Sequence, residues 1–175
     1  MEKDISLEQI YSLYMKDLYQ YIFSLCKNKS LAEDIVQETF YRAYFYIDSY
    51  QEEKIKPWLF KVANHTFIDV IRKEKRITYY EDLDHLIERQ VKSAEQEYLL
   101  KDRLDHWFKA LASLSVSKRN VVLLRDYYRF SYQEIADIFD ISIAKVKVSI
   151  YRGRKEVEKK MAEEYEYKGD EELGL

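Results

Sequence analysis

The 175 residues are 47% apolar and 35% charged, with only 3 glycines and 1 proline. That is enough apolar material for one modest core or two small ones, and too much for a wholly disordered chain. Turn residues are too scarce for a β-sandwich or barrel, and Gly153, Gly169 and Gly174 cannot build a phosphate-cradling loop. The single cysteine, Cys26, excludes an internal disulfide framework and a cysteine-based zinc site, and His65, His85 and His106 show no metal spacing.

The opening MEKDISLEQIY is polar and acidic and does not read as a signal peptide. The longest uncharged stretch, Leu18 to Cys26, is nine residues, too short to span a bilayer, so a soluble intracellular protein is expected. The net charge of −3 hides a pattern. Residues 1–76 carry 12 basic and 12 acidic groups, 77–108 carry 4 and 8, 109–161 carry 12 and 6, and 162–175 carry 1 and 6. A segment of net +6 beside an acidic tail points to a nucleic-acid-binding module.

Ser6 with Gln9 predicts a capping box, followed by Ile10, Leu13, Tyr14, Leu18, Tyr21, Ile22 and Leu25 at helical spacing. Ser30 with Glu33 predicts a second box and a helix to about Tyr46, with Ala32, Ile35, Val36, Thr39, Phe40, Ala43 and Ile47 on one stripe. Residues 48–56 read as a polar loop. Pro57 suits the first position of a third helix reaching about Lys75, with Leu59, Val62, Ala63, Thr66, Phe67 and Val70 inward. Residues 77–95 are acidic and lack periodicity, which predicts a flexible linker. A second helical unit begins near Ala94, carries Leu100, Leu104, Trp107, Phe108, Leu111 and Leu114 inward, and continues in a helix from Arg119 to Tyr128. After Met161 the acidic tail is expected to fray. The expected fold is all-α: two small helical domains joined by a flexible linker, the second with a helix-turn-helix.

That motif is the strongest local signal. Ser131 with Glu134 caps the helix YQEIADIF, Phe139-Asp140-Ile141 turns, and Ser142 caps a helix with Val146, Ile150, Gly153 and Val157 inward. Its other faces carry Lys145, Lys147, Ser149, Tyr151, Arg152, Arg154 and Lys155, cations and polar groups suited to a major groove and its phosphates. The competing reading is an ordinary hairpin with a solvated basic face. A second signal is Asp34, Gln37, Glu38 and Tyr41 at i, i+3, i+4 and i+7, one exposed strip. With no histidine, lysine or nucleophile at matching spacing, it fits docking of a basic partner, or plain solvation, better than catalysis. A third is the helix from Trp58, whose outward positions include Lys61, Asn64, His65 and Arg72 and which ends in Arg72, Lys73, Lys75 and Arg76, preceded by a loop bearing Tyr44, Phe45, Tyr46 and Tyr50. Cations beside aromatics suit unpaired bases and a strand backbone, while Trp58, Phe60 and Phe67 read as core.

Together these blocks resemble an extracytoplasmic-function (ECF) sigma factor of the sigma-70 family, over about residues 7–161. LAEDIVQETFYRAY (31–44) is similar to the family's core-polymerase-binding segment, with Asp34, Gln37, Glu38, Phe40 and Tyr41 at the matching strip. PWLFKVANHTFIDVIRKEKR (57–76) is similar to the segment that recognises and melts the −10 element, which assigns Lys61, Asn64, His65, Arg72, Lys75 and Arg76 to DNA. SYQEIADIFDISIAKVKVSIYRGRKEV (131–157) is similar to the −35 reader, which assigns Ala144, Lys145, Lys147, Val148, Ser149, Tyr151, Arg152 and Arg154. The first block is close to members that respond to cell-envelope stress in Gram-positive bacteria.

The resemblance implies sigma region 2 over 1–76, a linker over 77–95, sigma region 4 over 96–161 and an acidic tail over 162–175. It implies a cytoplasmic protein that is not an enzyme, with no cofactor, metal or small-molecule substrate. Its partners would be core RNA polymerase (the largest-subunit clamp coiled coil and the flap region), promoter DNA, and an anti-sigma factor, usually membrane-anchored, that holds it inactive until a stress signal arrives. Three positions depart from the family pattern: His65 where asparagine is frequent, Leu114-Ser115 where Leu-Pro is common, and Ala144 to Ser149 where a Gly-Thr-Val-Lys-Ser-Arg run is frequent. The alternatives are a helix-turn-helix operator-binding regulator acting without polymerase, which leaves residues 31–76 unexplained, and a helical adaptor, which leaves the basic segment unexplained.

Overall fold

Capping chemistry sets where the first helix begins. In the computed structural model, which describes the backbone of residues 6–46, 54–73 and 94–172 and the side chains of 6–46, 54–73 and 101–163, Ser6 Oγ accepts the Gln9 N–H and Gln9 Oε1 accepts the Ser6 N–H. This reciprocal box opens α1 (Leu7–Cys26). Lys27, in the left-handed region at φ 54°, closes it by donating its N–H to the Phe23 carbonyl. The next helix, α2 (Lys29–Tyr46), is capped by Asn28, whose Oδ1 accepts the Leu31 N–H at 3.0 Å. Ser30, expected as the cap, therefore lies inside the first turn. The third, α3 (Ile55–Lys73), starts two residues before Pro57. Proline is tolerated there because N–H groups of a first turn have no intrahelical partner.

The predicted stripes of α2 and α3 face inward through Ala32, Ile35, Val36, Thr39, Phe40, Ala43, Leu59, Ala63, Thr66 and Phe67, all buried, while Val62 and Val70 are half-buried. Leu13, expected inward, is exposed, and Tyr44, Phe45 and Tyr46 stand exposed on the last turn of α2 rather than on a loop. Ile47, the 48–53 part of the expected loop, and linker residues 77–93 lie outside the described residues.

The second module contains α4 (Ala94–Ala112), α5 (Val116–Val122), a π-helical turn (Leu123–Tyr127), α6 (Tyr132–Phe139) and α7 (Ile143–Glu172). The helix expected from Arg119 to Tyr128 is thus two pieces. The Tyr128 N–H reaches back five residues to the Leu123 carbonyl, and Arg129, left-handed at φ 64°, ends the turn. At its far end α7 carries on to Glu172, so the tail expected to fray is helical. Nothing interrupts helix formers before Gly169, and Lys159 and Lys160 both pair with Glu163 across one turn. No strand occurs among the described residues.

All six residues from Tyr21 to Cys26 are buried, more than one amphipathic stripe allows. The reason is that α1 packs on α2 and α3 and also on α5 of the second module, while α3 packs on α6. The Phe60 ring meets Tyr21, Tyr128 and Phe130, each with centroids 4.9 Å away, so one aromatic cluster serves both modules. Beside it the Tyr21 hydroxyl donates to Asn120 Oδ1 at 2.6 Å, and Asn120 Nδ2 donates to Asn64 Oδ1 at 2.8 Å. The Tyr128 hydroxyl donates to the Asp17 carbonyl at 3.1 Å. Buried Arg119 donates to the carbonyls of Leu111, Ala112 and Leu114 at the end of α4, and to that of Ser24 in α1. A charged fork is thereby spread over carbonyls at the ends of two helices and just beyond α4.

Two consequences are measurable. Arg119→Met removes four hydrogen bonds and strands buried carbonyls of both modules, so urea unfolding should show a loss of about 3 kcal/mol. Lys27 Nζ is buried with no hydrogen-bond partner. Burial, and then the Arg119 charge, push its ammonium down to about 8 from 10.5. The unfolded chain therefore binds more protons between those two values, and this group adds stability as pH rises through that window. Burial pushes the Cys26 thiol up, which acts in the opposite sense. The comparison is therefore between chains: from pH 7.5 to 9.5 the urea midpoint should change more positively in the wild type than in Lys27→Met.

Candidate nucleic-acid and polymerase interface

Three local devices shape the helix-turn-helix. Ser131 Oγ accepts the Glu134 N–H and Glu134 Oε2 accepts the Ser131 N–H, which opens α6. Asp140, left-handed at φ 52°, ends α6 by donating its N–H to the Ala136 carbonyl. Ser142 Oγ accepts the Lys145 N–H at 3.2 Å at the start of α7. Val146, Ile150, Gly153 and Val157 are buried as the periodicity predicts. Gly153 is needed for close approach: a Cβ there would lie 2.5 Å from Val122 Cγ2, inside van der Waals contact.

The opposite faces of α7 expose Ala144, Lys145, Lys147, Val148, Tyr151, Arg152 and Arg154, with Ser149 half-buried. Arg154 is committed elsewhere: it forms a bidentate ion pair with Asp126 of the π-helical turn, one arm being Nε to Oδ2 at 3.0 Å. That carboxylate holds the Arg154 guanidinium above its ordinary pKa, so Arg154 braces α7 rather than standing free. Arg125 and Tyr132 escaped sequence reasoning as interface groups. The Arg125 guanidinium lies 4.5 Å over the Tyr132 ring, and Lys147 Nζ lies 5.7 Å from the same ring. Three elements thus build one basic and aromatic patch. The capping-box neighbour Tyr132 was the only sequence hint, because the patch exists only after the turn folds.

On α3, Lys61 Nζ lies 2.7 Å from Asp140 Oδ1, and His65 Nε2 lies 3.2 Å from Asp140 Oδ2. The hydrogen bond from Lys61, with help from its charge and from His65, holds the Asp140 carboxyl below its ordinary range. Arg72 is exposed at the end of α3. Asn64, expected outward, is 0% exposed and sits in the polar contact with Tyr21 and Asn120. The helical repeat places it one position from the solvent-facing Lys61–His65 strip, and the second module covers it. Lys75 and Arg76 lie outside the described residues.

The α2 strip stands as expected for Asp34, Gln37 and Tyr41, which are exposed, while Glu38 pairs with Arg42 at 2.7 Å. Phe40 differs. It is buried, its ring 4.8 Å from that of Tyr11, because it falls on the inward stripe beside Val36 and Ala43. Tyr41 and Tyr44 both make edge contacts with Phe45, so the exposed strip continues into an aromatic end. Among the described residues no group of histidines, cysteines and carboxylates is arranged for a metal, and no helix is long and apolar enough to cross a membrane.

Residues 10–77 match the Sigma-70 region 2 family and residues 108–157 match Sigma-70 region 4. The chain is 38% identical over 152 residues to the ECF RNA polymerase sigma factor SigM of Bacillus subtilis, covering 86% of this chain and 91% of that protein. It is 34% identical over 143 residues to the RNA polymerase sigma factor SigV of the same organism, covering 81% and 82%. Among solved structures it is similar to the sigma factor RpoE from Bartonella quintana, bound there to the anti-sigma factor NepR, with a TM-score of 0.70, 25% identity and coverage of 89% of this chain and 96% of that one.

Gly153→Ala should lower the urea unfolding free energy by about 2 kcal/mol, the cost of overpacking a tight contact. Adding Val122→Ala in that background should recover part of the loss, since it removes the atom the new methyl meets.

Proposed function

The chain belongs to the ECF sigma factors of the sigma-70 family, and from that premise we infer how its surfaces divide the work of binding core RNA polymerase and directing it to promoters. The observation that carries the reading is α7, whose inward face is closed by Val146, Ile150, Gly153 and Val157 while Lys145, Lys147, Val148, Tyr151 and Arg152 face solvent. A helix held so tightly from behind presents a fixed row of donors and apolar contacts to base edges, while its cations neutralise phosphates. Residues 96–161 would form the −35 reader, with Arg125 and Tyr132 extending it toward the DNA backbone.

Residues 1–76 would form the module for polymerase and the −10 element. Asp34, Gln37, Glu38 and Tyr41 would meet a basic helical surface of the polymerase, with the aromatic end of α2 adding apolar area. Lys61, His65 and Arg72 would hold the opened strand, with Lys75 and Arg76 continuing that basic run. The near-zero charge of residues 1–76 supports a weak intrinsic affinity for DNA, raised when polymerase tethers both modules to one promoter. The binding partner of the similar RpoE supports an anti-sigma factor as the restraint on this chain, and a membrane-anchored one would couple it to envelope stress. No catalysis is assigned to any residue, and the site of action would be the cytoplasm, where polymerase and DNA meet.

Run-off transcription with purified core polymerase on a pool of genomic promoter fragments tests this. Discrete transcripts that fall at least tenfold with Glu38→Arg are expected. Transcripts unchanged by Glu38→Arg would remove the α2 strip from the docking surface, and no transcripts with no co-elution with core enzyme would overturn the reading.

A further inference from the structure

We propose, resting on the functional reading above, that α7 selects its −35 element by methyl contact: Ala144, Val148 and Tyr151 form an apolar ridge that takes thymine C5-methyl groups, so the sequence preference follows methyls more than hydrogen bonds. Residues 144, 148 and 151 stand at i, i+4 and i+7, within about 60° of arc on a helix of 3.6 residues per turn. All three are exposed, Val148 at 47% and Tyr151 at 59%. The buried row of Val146, Ile150, Gly153 and Val157 occupies the opposite side, packed against the rest of the module. The ridge is therefore the outermost line of α7, the part that goes deepest when the helix enters a groove.

Cations line both flanks of this ridge. By the same repeat Lys145 and Arg152 lie on one side and Lys147 on the other, where Lys147 and Arg125 share the Tyr132 ring. Lys155 Nζ, one turn beyond Tyr151, lies 5.0 Å from that ring's centroid and steadies it. Phosphates wall a major groove on both sides, so an apolar crest between two rows of cations matches its cross-section. An apolar protein partner would have to bury those cations, which disfavours one. On the groove floor the C5-methyl of thymine is the apolar group that a base edge offers. Neither the Ala144 nor the Val148 side chain has a donor or acceptor, so neither reads a guanine or adenine edge by hydrogen bond. Both fall where the family's frequent run has glycine and serine, which makes the preference a property of this chain.

The test uses the full chain with core polymerase on the promoter that gives the strongest run-off transcript. Its −35 block is synthesised with thymidine or with deoxyuridine, which keeps every base pair and removes only the methyls, while the −10 block stays unchanged. At limiting protein the thymidine template should give an initial rate about fourfold higher, the fold-change that burying one methyl group corresponds to. Val148→Ser, a change at an exposed position that leaves folding intact, should bring that ratio below about twofold. Lys147→Ala removes a phosphate contact, so it should lower the rate on both templates and leave the ratio where it was.

Equal rates on the two templates, a ratio that survives Val148→Ser, a ratio that falls as far with Lys147→Ala, or a −35 block without A·T pairs overturns the ridge. If neither template is transcribed, the functional reading falls and capture of duplexes at low salt judges the ridge alone. From an equal mixture of random thymidine and deoxyuridine duplexes, repeated selection on the full chain should enrich the thymidine set, and selection on Val148→Ser should not. No enrichment by the wild type, or the same enrichment by Val148→Ser, overturns the proposal.

Discussion

Tyr21, Asn64, Asn120 and Arg119 cannot be buried unless both modules are present to satisfy them. The Tyr21 hydroxyl needs Asn120, Asn120 needs Asn64, and Arg119 reaches from the end of α4 to the Ser24 carbonyl of α1. Apolar contacts alone would allow the modules to slide against each other, whereas buried hydrogen bonds accept only one register. The full burial of the aromatic cluster of Tyr21, Phe60, Tyr128 and Phe130 supplies about 2 kcal/mol per ring, more than an exposed ion pair can. Polar geometry therefore sets the arrangement that the aromatic rings stabilise, and that arrangement carries Asp140 to Lys61 and His65.

The same constraint orders the DNA-facing surfaces. Behind α7, Gly153 admits α5 to a distance no other residue would permit, and the Asp126–Arg154 pair ties α7 to the π-helical turn. The extra residue of that turn places Asp126 opposite Arg154 and Tyr128 against Phe60, so one local irregularity serves the recognition helix and the module junction together. Two buried polar atoms without hydrogen-bond partners, Asn64 Nδ2 and Lys27 Nζ, lie on the first module's side of the junction, and Thr66 Oγ1 of α3 is another.

Much of this was legible where the signal was local. The capping boxes at Ser6 and Ser131 and the Ser142 cap depend on residues three apart, and all formed. The buried row of α7 follows from a 3.6-residue repeat and was read without error. The misreadings at Asn64, Leu13, Phe40 and Arg154 turn on what distant elements cover or leave open, whereas Ser30 lost its capping role to a local rival, Asn28, two residues earlier. Asn64 looked like a surface amide until α5 covered it, and Leu13 looked like core although no element packs over it. Phe40 matched a polymerase-binding motif and also an inward stripe, and burial decided for the stripe. Arg154 read as a free cation because Asp126 lies 28 residues away.

The amino-acid sequence by itself determined an all-helical chain, the helix-turn-helix and its basic outer face, the exposed strip on α2 and the family, because periodicity, capping and charge act over a few residues. Only the tertiary structure decided that the two modules share one core, that Asn64 and Arg119 belong to their junction, and that Lys61, His65 and Arg154 are already paired. Those outcomes depend on long-range hydrogen bonds and ion pairs, whose partners are chosen by how whole helices pack and leave no pattern in the neighbouring residues.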